Sequence, residues 1–529
     1  MPHLNPAVKQ RGKLFIGTVA DSHATIRERH HLTGGLEGFS PSNAPKMWLT
    51  RLMALDWLKR FEPDIFGKTR GKLPPEGLHS HIYAAAKGVV QKLTKAERTP
   101  PPEPEPEPTA AEAVDLSDKT AIVYDRGGLY LYCAEKLAEK YKRVMYYLAD
   151  ADAYPTSQKH TIGAGLPNVE RIADFWKHLD EADVVYFFDC YDGELQHYLR
   201  GKGYKVFGSG RGERVEIDKV KFLDILGELE LPCAETYQAQ GMDDLKKYLT
   251  EHDGQTLFLK NLHRGDFESR KFTSLAQSKP FLDDLRKRVG TASDTMEILV
   301  QHKIDADLEV GYDGYCVDGE FTGNCIIGYE IKDKGFCGKV FEEPPEIVKG
   351  INDAFGPVLA KLGYNGNYST EIRVTKDGKP YYIDATCRVP SPPGEVLCEL
   401  YENWSEATWQ IAHGIVPELE PKAAYCAEII LTSAWHEHHE LHVSIPKAIR
   451  QFVKLKNHTM RDGEFYCVPN GNGGFFGAVV AWADTLDEAI ELVLDRAKQI
   501  EADELDYDDS LFDAAREQIE AGERHGIEF

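Results

Sequence analysis

The sequence predicts an α/β protein built from several domains, and three observations carry that reading. Apolar strands alternate with helices from Thr120 to Phe207, a strand-rich stretch follows from about Val215, and alternating proline and glutamate over Thr99–Ala113 cut off a basic head. At 529 residues the chain is too long for one core and predicts two to four domains.

The spacer TPPPEPEPEPTAAEA cannot build a helix or an inner strand, so it reads as stiff, solvated chain. After it, Thr120–Tyr124 (TAIVY) is predicted as a buried strand, ended by Asp125, Arg126, Gly127 and Gly128. A helix with Leu131, Ala134, Leu137 and Ala138 on one face comes next. Strands are expected at Arg143–Leu148, Asp183–Phe188 and, more briefly, Lys205–Phe207. Continuous apolar strands separated by helices indicate a parallel, Rossmann-like sheet. Gly127-Gly128 lacks the full GxGxxG spacing of a phosphate loop.

From Val215 onward a helix over Lys219–Leu229 precedes the strand-like segments TLFLK, EILVQHK, EVGYDGYCV and NCIIGYEI. Ile347, Ile351, Phe355, Leu359 and Leu362 recur at helical spacing from Glu346 to Leu362, with Gly363 as the stop. NYSTEIRV and KPYYIDAT form a hairpin through the turn Lys376-Asp377-Gly378. The last segment begins near Tyr425 with CAEIIL, continues through NGNGG and FFGAVVAW, and ends in a helix capped by Thr485 with Glu488 three residues on.

Composition narrows the class. Hydrophobic residues make up 42 % and charged residues 28 %, an ordinary globular balance. No apolar run approaches the roughly 20 residues of a bilayer crossing, and the N-terminus lacks an apolar leader core. Ten cysteines without a CxxC pair read as reduced thiols, and these features together predict a cytoplasmic address without membrane contact. The net charge of −24 argues against nucleic acid as the main partner. Residues 1–98 hold 16 Lys and Arg against 8 Asp and Glu, so a head of +8 precedes a body of −32.

The chemistry concentrates on the hairpin STEIRVTKDGKPYYIDATCR. Glu371 and Asp384 are expected to face each other across paired strands, and alternation puts Asp384, Thr386 and Arg388 on one face. Two acids and an arginine among apolar residues are costly unless a metal or ligand compensates them; a solvated hairpin face is the plain alternative.

The stretch GYKVFGSGRGERVEIDKVKFLDILGELELPCAETY resembles the entry to the ATP-grasp domain of the phosphoribosylamine–glycine ligase family. TLFLK, ILVQHKIDADLEV, the hairpin and GFFGAVVAWADTLDEAIELVLDRAKQI are similar to later parts of that family, in order, over roughly residues 119 to 505. The resemblance implies a Rossmann-like pre-ATP-grasp domain at 116–215, a two-lobed ATP-grasp domain at 216–420, and a small α+β C-terminal domain at 421–529. The basic module at 1–98 and the linker at 99–115 stay outside it. It implies ATP and Mg²⁺ as cofactors. Lys219 and Lys260 are then the phosphate-binding lysines, Lys260 also acting in catalysis, and Gln301, His302 and Ile304 lie at the purine edge. Glu309 falls on the ribose or metal side, while Glu371, Asp384 and Thr386 hold the metal and Arg388 contacts phosphate or the acyl group. Lys339, in GFCGK, is a candidate phosphate contact or part of a surface turn.

Departures from the family pattern stand out. The lid segment NLHRGDFESRKFT holds only Gly265, so Arg264, Arg270 or Lys271 is expected to supply charge in place of close backbone amides. Thr386 and Asp384 replace longer ligands, and VPSPPGE at the acceptor end points to a different substrate. The histidines of HEHHELH (His436, His438, His439 and His442) lack HExxH spacing and read as a polar loop. Those of the head (His23, His30, His31, His79 and His81) have no cysteine partners. Cys316, Cys325 and Cys337 read as packing residues, and the tail from Tyr507 as an acidic helix packed on the body. Trp48, Leu52, Leu55 and Leu58 form one helical face in the head, which suits a small core or a protein or polyanion partner.

The expected function is ATP-dependent joining of a small-molecule carboxylate to an amine through an acyl phosphate, releasing ADP and phosphate. The alternative is a non-catalytic nucleotide-binding scaffold docked through its basic module.

Overall fold

A computed structural model describes residues 114–149, 158–261, 269–469 and 473–529. The chain divides into Met1–Thr109 and Ala110–Phe529. The basic head and the Pro/Glu spacer therefore lie outside the described residues, as do most of the lid segment and the first three residues of NGNGG.

The chain first builds a five-stranded parallel sheet. Its strands are β1 (Thr120–Asp125), β2 (Arg143–Leu148), β3 (Val169–Ile172), β4 (Val184–Phe187) and β5 (Val206–Phe207), in the order β3-β2-β1-β4-β5. Helix α1 (Leu131–Leu137) buries Leu131, Ala134 and Leu137, the face its spacing predicts. β3 escapes a periodicity reading because VERI carries two charges in four residues and buries only its ends. Helix α2 (Gly193–Gly201) follows β4.

Helix α3 (Lys219–Glu228) starts where Asp218 accepts a hydrogen bond from Lys221 N at 3.1 Å. A four-stranded antiparallel sheet follows, made of β6 (Thr236–Gln240), β7 (Leu257–Asn261), β8 (Ser269–Phe272) and β9 (Glu297–His302) in the order β6-β9-β7-β8. Helices α4 (Met242–Glu251) and α5 (Leu275–Val289) cover one of its faces. Leu245, Leu249, Leu282 and Leu285 pack there on Leu257, Leu259, Ile298 and Val300. Strand alternation sends Phe258, Lys260, Leu299 and Gln301 to the opposite face.

The largest sheet has ten strands. β10 (Ala306–Val317), β11 (Glu320–Phe321), β12 (Cys325–Ile331), β13 (Gly335–Phe341), β14 (Asn365–Thr375), β15 (Pro380–Thr386) and β16 (Tyr425–Ser433) belong to it. A smaller sheet combines β17 (Leu441–Ser444), β19 (His458–Arg461), β20 (Glu464–Cys467) and β22 (Glu501–Ala502), while β18 (Val453–Leu455), β21 (Phe475–Ala483) and β23 (Leu505–Asp506) join the large one. Helix α6 (Glu346–Leu362) lays Val348, Ile351, Phe355 and Leu359 on Leu308, Val310, Ile372 and Tyr382. It ends at Gly363 with φ +69°, a left-handed cap that glycine adopts at little cost.

Helices α7 (Gly394–Leu400) and α8 (Trp404–Ala412) pack between the large sheet and the parallel one. Thr485 caps α9 (Leu486–Ala497), donating to Glu488 Oε2 at 3.0 Å and accepting from Glu488 N, as its capping box predicts. The acidic tail helix α10 (Leu511–Arg524) buries Leu511, Phe512 and Ala515 against the body, and the side-chain Oε1 of its Gln518 accepts from the Glu309 backbone amide at 3.1 Å. Cys316, Cys325 and Cys337 are buried free thiols. No helix among the described residues is long and apolar enough to cross a membrane.

Candidate active site

Glu371 on β14 pairs directly with Asp384 on β15, and a register irregularity follows Glu371 on the side of the turn. β10 lies on the other side of β14, with Glu309 opposite Arg373 and Gly311 opposite Glu371. That diagonal brings the Glu309 and Glu371 carboxyl groups close enough for each to shift the other's proton affinity. Arg373 Nε also donates to Glu309 Oε2 at 2.7 Å.

Two lysines complete the cluster from different elements. Lys219, first residue of α3, forms an ion pair with Asp384. Lys260, on the open face of the small sheet, lies within electrostatic reach of Asp384, Lys219 and Glu371. Residues spread over 165 positions thus converge, four of them predicted as ligands to phosphate or metal.

The charges set each other. Burial opposes the Lys219 ammonium, yet Asp384, with Glu216 and Glu371 beyond it, lifts it above the ordinary lysine value. Lys260 goes the other way: burial and the nearby Lys219 charge lower it, and the acids do not make up the difference. Asp384 stays below the usual carboxylate range because Lys219 and Lys260 outweigh its burial. Glu371 rises well above it through burial, the contact with Glu309, and the charges of Asp384 and Glu330.

Arg388 is held by a residue the sequence reading did not single out. Glu216 accepts from Arg388 Nε at 2.8 Å and from the Cys387 amide at 2.6 Å. Both side chains are largely buried, 18 % and 12 % exposed, so the guanidinium is fixed in place. Thr386 stands opposite Ser369, one pleat beyond Asp384.

The purine-edge residues divide. Gln301 shares the Lys260 face of the small sheet and donates to Thr236 Oγ1 at 3.1 Å. His302 points to the helix-covered face instead, where its Nε2 meets Tyr248 Oη at 2.9 Å, and its amide donates to Glu235 O. Ile304 lies in the link to β10. A cleft of about 370 Å³ opens on the Gln301 face, lined by Val220, Leu223, Thr236, Gln238 and Leu299. A wider cleft of about 700 Å³ lies elsewhere, at Gly319–Asn324 and Pro417–Leu419, away from the charged cluster.

Lys339 is not brought to the cluster. Its ammonium donates to the Glu528 carbonyl at 2.9 Å and lies over the Phe341 and Tyr425 rings, because β13 is flanked by β12 and β16. Of the lid cations, Arg264 lies outside the described residues, Arg270 stacks on Phe281, and Lys271 shares the Lys260 face. Among the described residues no three His, Cys, Asp or Glu are grouped to hold a metal by themselves. His436 is buried against His439 O, and His442 meets Glu464.

The donor set nevertheless fits a hard divalent cation. Glu371 has one acid on each side, Asp384 across β15 and Glu309 across β10, and it bears their charge and its burial as a raised proton affinity. Mg²⁺ commonly takes only one or two carboxylates and completes its shell from phosphate and water.

Solved structures similar to this chain share a fold. One is a phosphoribosylamine–glycine ligase from Thermotoga maritima, 17 % identical, with a TM-score of 0.55 over 73 % of this chain and 98 % of that one. A second is the biotin carboxylase domain of 2-oxoglutarate carboxylase from Hydrogenobacter thermophilus, solved with MgADP, ADP and bicarbonate. It is 12 % identical, with a TM-score of 0.56 over 78 % of this chain and 99 % of that one. An L-amino acid ligase from Bacillus licheniformis matches at 14 % identity and TM-score 0.50, over 75 % of this chain and all of that one. No protein-family profile matches the sequence, and no curated protein matches it.

Proposed function

Taking as premise that the chain has the ATP-grasp fold of these ligases, we propose that it is an ATP-dependent carboxylate–amine ligase. The observation that carries this reading is the convergence of Lys219, Lys260, Glu309, Glu371 and Asp384 around one hairpin. Two cations and a crowded set of acids suit a triphosphate with its metal better than any single charged ligand. The domains proposed to frame this chemistry are those the sequence predicts, at 116–215, 216–420 and 421–529.

In this reading Lys219 and Lys260 bind phosphate oxygens, and the Gln301 face of the small sheet receives the base. Glu371, Asp384 and the Thr386 hydroxyl would hold Mg²⁺, with Glu309 on the ribose or metal side, and the ion when bound would spread the charge of the phosphates. The Lys219–Asp384 ion pair must open on binding, leaving the lysine for phosphate and the carboxylate for metal. A substrate carboxylate oxygen attacks the terminal phosphorus, and the bond to ADP breaks. The amine nitrogen then attacks the acyl carbon, the carbon–oxygen bond to phosphate breaks, and the amine proton leaves with phosphate or solvent. Arg388, locked by Glu216, is positioned to hold the anionic acyl phosphate in register.

A second reading, a nucleotide-binding scaffold without turnover, is favoured by the same ion pair, since Lys219 already satisfies Asp384. ADP release distinguishes the two. A matrix of small carboxylic acids and amines, assayed with Mg·ATP, should contain a pair that releases ADP only when both members are present. ATP binding with no ADP from any pair would favour the scaffold.

A further inference from the structure

The turn after β1 is the motif that the proposed reaction leaves without a role. Parallel sheets take ligands beyond the carboxyl ends of their strands, where neighbouring connections leave in opposite directions. In the order β3-β2-β1-β4-β5 that point lies between β1 and β4. The catalytic hairpin docks there on both loops. The Val389 amide donates to Phe188 O at 2.9 Å, Tyr130 Oη donates to Val389 O at 3.2 Å, and Tyr130, Asp189 and Cys190 lie within electrostatic reach of Arg388. The switch point is therefore continuous with the reacting end of the site.

Three backbone N–H groups converge in this turn, from Gly127, Gly128 and Tyr130, the arrangement that cradles an anion in many α/β proteins. Here the chain fills the cradle itself. Asp125 Oδ1 accepts from Gly127 N at 3.1 Å and Gly128 N at 2.9 Å, while Oδ2 accepts from Tyr130 N at 2.9 Å and Tyr146 Oη at 2.8 Å. The Asp125 residue is 1 % exposed. The turn is also pinned from outside. Asn457 donates from its amide nitrogen to Gly128 O at 2.8 Å and from its side chain to Gly127 O. Gly128 sits at φ +83°, and a Cβ there would stand 2.4 Å from Asn457 Nδ2. A ligand phosphate reaches these N–H groups only by displacing a carboxylate that four donors hold.

We propose that Asp125 is a specificity-determining residue: it occupies the anion cradle at the switch point, so the amine this ligase accepts carries no phosphate where it meets the β1 turn. The identity of the pocket rests on the ligase reading, and the phosphate titrations that test Asp125 do not depend on turnover.

The full chain and the Asp125→Gly and Asp125→Ser variants are titrated with inorganic phosphate and with ribose 5-phosphate, at saturating Mg·ADP, and followed by thermal stability and ³¹P line broadening. The variants, having lost the internal anion, should be destabilised, and both probes should restore them with at least tenfold tighter apparent binding than wild type shows. Wild type binding ribose 5-phosphate as tightly as the variants overturns the proposal, as do folded variants that gain nothing from either probe. If neither variant folds, the wild-type acid–amine matrix decides. Phosphorylated amines preferred over their unphosphorylated counterparts overturn the proposal, and the reverse supports it. Failure of the ligase reading shows separately, as absence of ADP from every pair, while the phosphate titrations still report on the cradle.

Discussion

Glu371 and Asp384 face each other across one antiparallel pair, yet burial and neighbours push their proton affinities in opposite directions, Glu371 up and Asp384 down. Lys219 and Lys260 account for the difference, since both favour the Asp384 charge. Without ligand, Glu371 is the strained member. Glu371→Gln should therefore leave the apo protein at least as stable as wild type, while removing the stabilisation that Mg·ATP confers. Chemical unfolding with and without Mg·ATP measures both effects.

The two lysines should separate in the same way. Lys219→Ala breaks the ion pair with Asp384, which is about three-quarters shielded from solvent, and should cost about 2 kcal/mol. Lys260→Ala removes a cation whose charge is disfavoured by burial and by Lys219, and should cost under about 0.5 kcal/mol. Both should weaken ATP binding tenfold or more. Equal stability losses would contradict the charge distribution described above.

Glu216 should behave as a positioning residue for Arg388. Glu216→Ala leaves a largely buried guanidinium and the Cys387 amide without their acceptor, at a cost of about 3 kcal/mol. ADP release should fall about a hundredfold, with ATP affinity changed less than threefold. A matching loss of ATP affinity would place Arg388 on the nucleotide instead.

Asp313 supplies a pH dependence. It is 4 % exposed, the Ser369 hydroxyl donates to it at 2.6 Å, and burial pushes it up to about 7. The unfolded chain gives up this proton near pH 4, whereas the folded chain keeps it to about pH 7. The folded state thus binds the extra proton, and its stability should fall as pH rises from about 4 to 7. Asp313→Asn should flatten that slope in urea unfolding measured at pH 5 and pH 8.

Much of this arrangement was readable in the chain because it is local. The Lys376-Asp377-Gly378 turn sets the hairpin register, and register alone places Glu371 opposite Asp384. The same period-2 rule separates Gln301 from His302, which the adenine assignment had grouped by position along the strand. Glu216 was not legible. It is one acid on a short helical turn, and its partner Arg388 lies 172 positions away. Asp125 carried a faint cue, an aspartate two residues before Gly127-Gly128, the spacing at which a carboxylate caps its own turn. For Lys339 the resemblance of GFCGK to a family phosphate-side loop left a phosphate contact and a surface turn equally open. Only the sheet order shows that β13 turns it toward the carboxyl-terminal tail.

That Lys219, Lys260, Glu371 and Asp384 form one nucleotide–metal site is tested most directly by thermal and chemical stability with Mg·ATP, with Mg·ADP, and with nucleotide and chelator, in wild type, Lys260→Ala and Asp384→Ala. At a hundred times its dissociation constant a ligand adds about 2.7 kcal/mol. A metal-dependent gain of that size in wild type, lost in both variants, is the predicted result. No gain in wild type, or a gain that survives both substitutions, would contradict the claim.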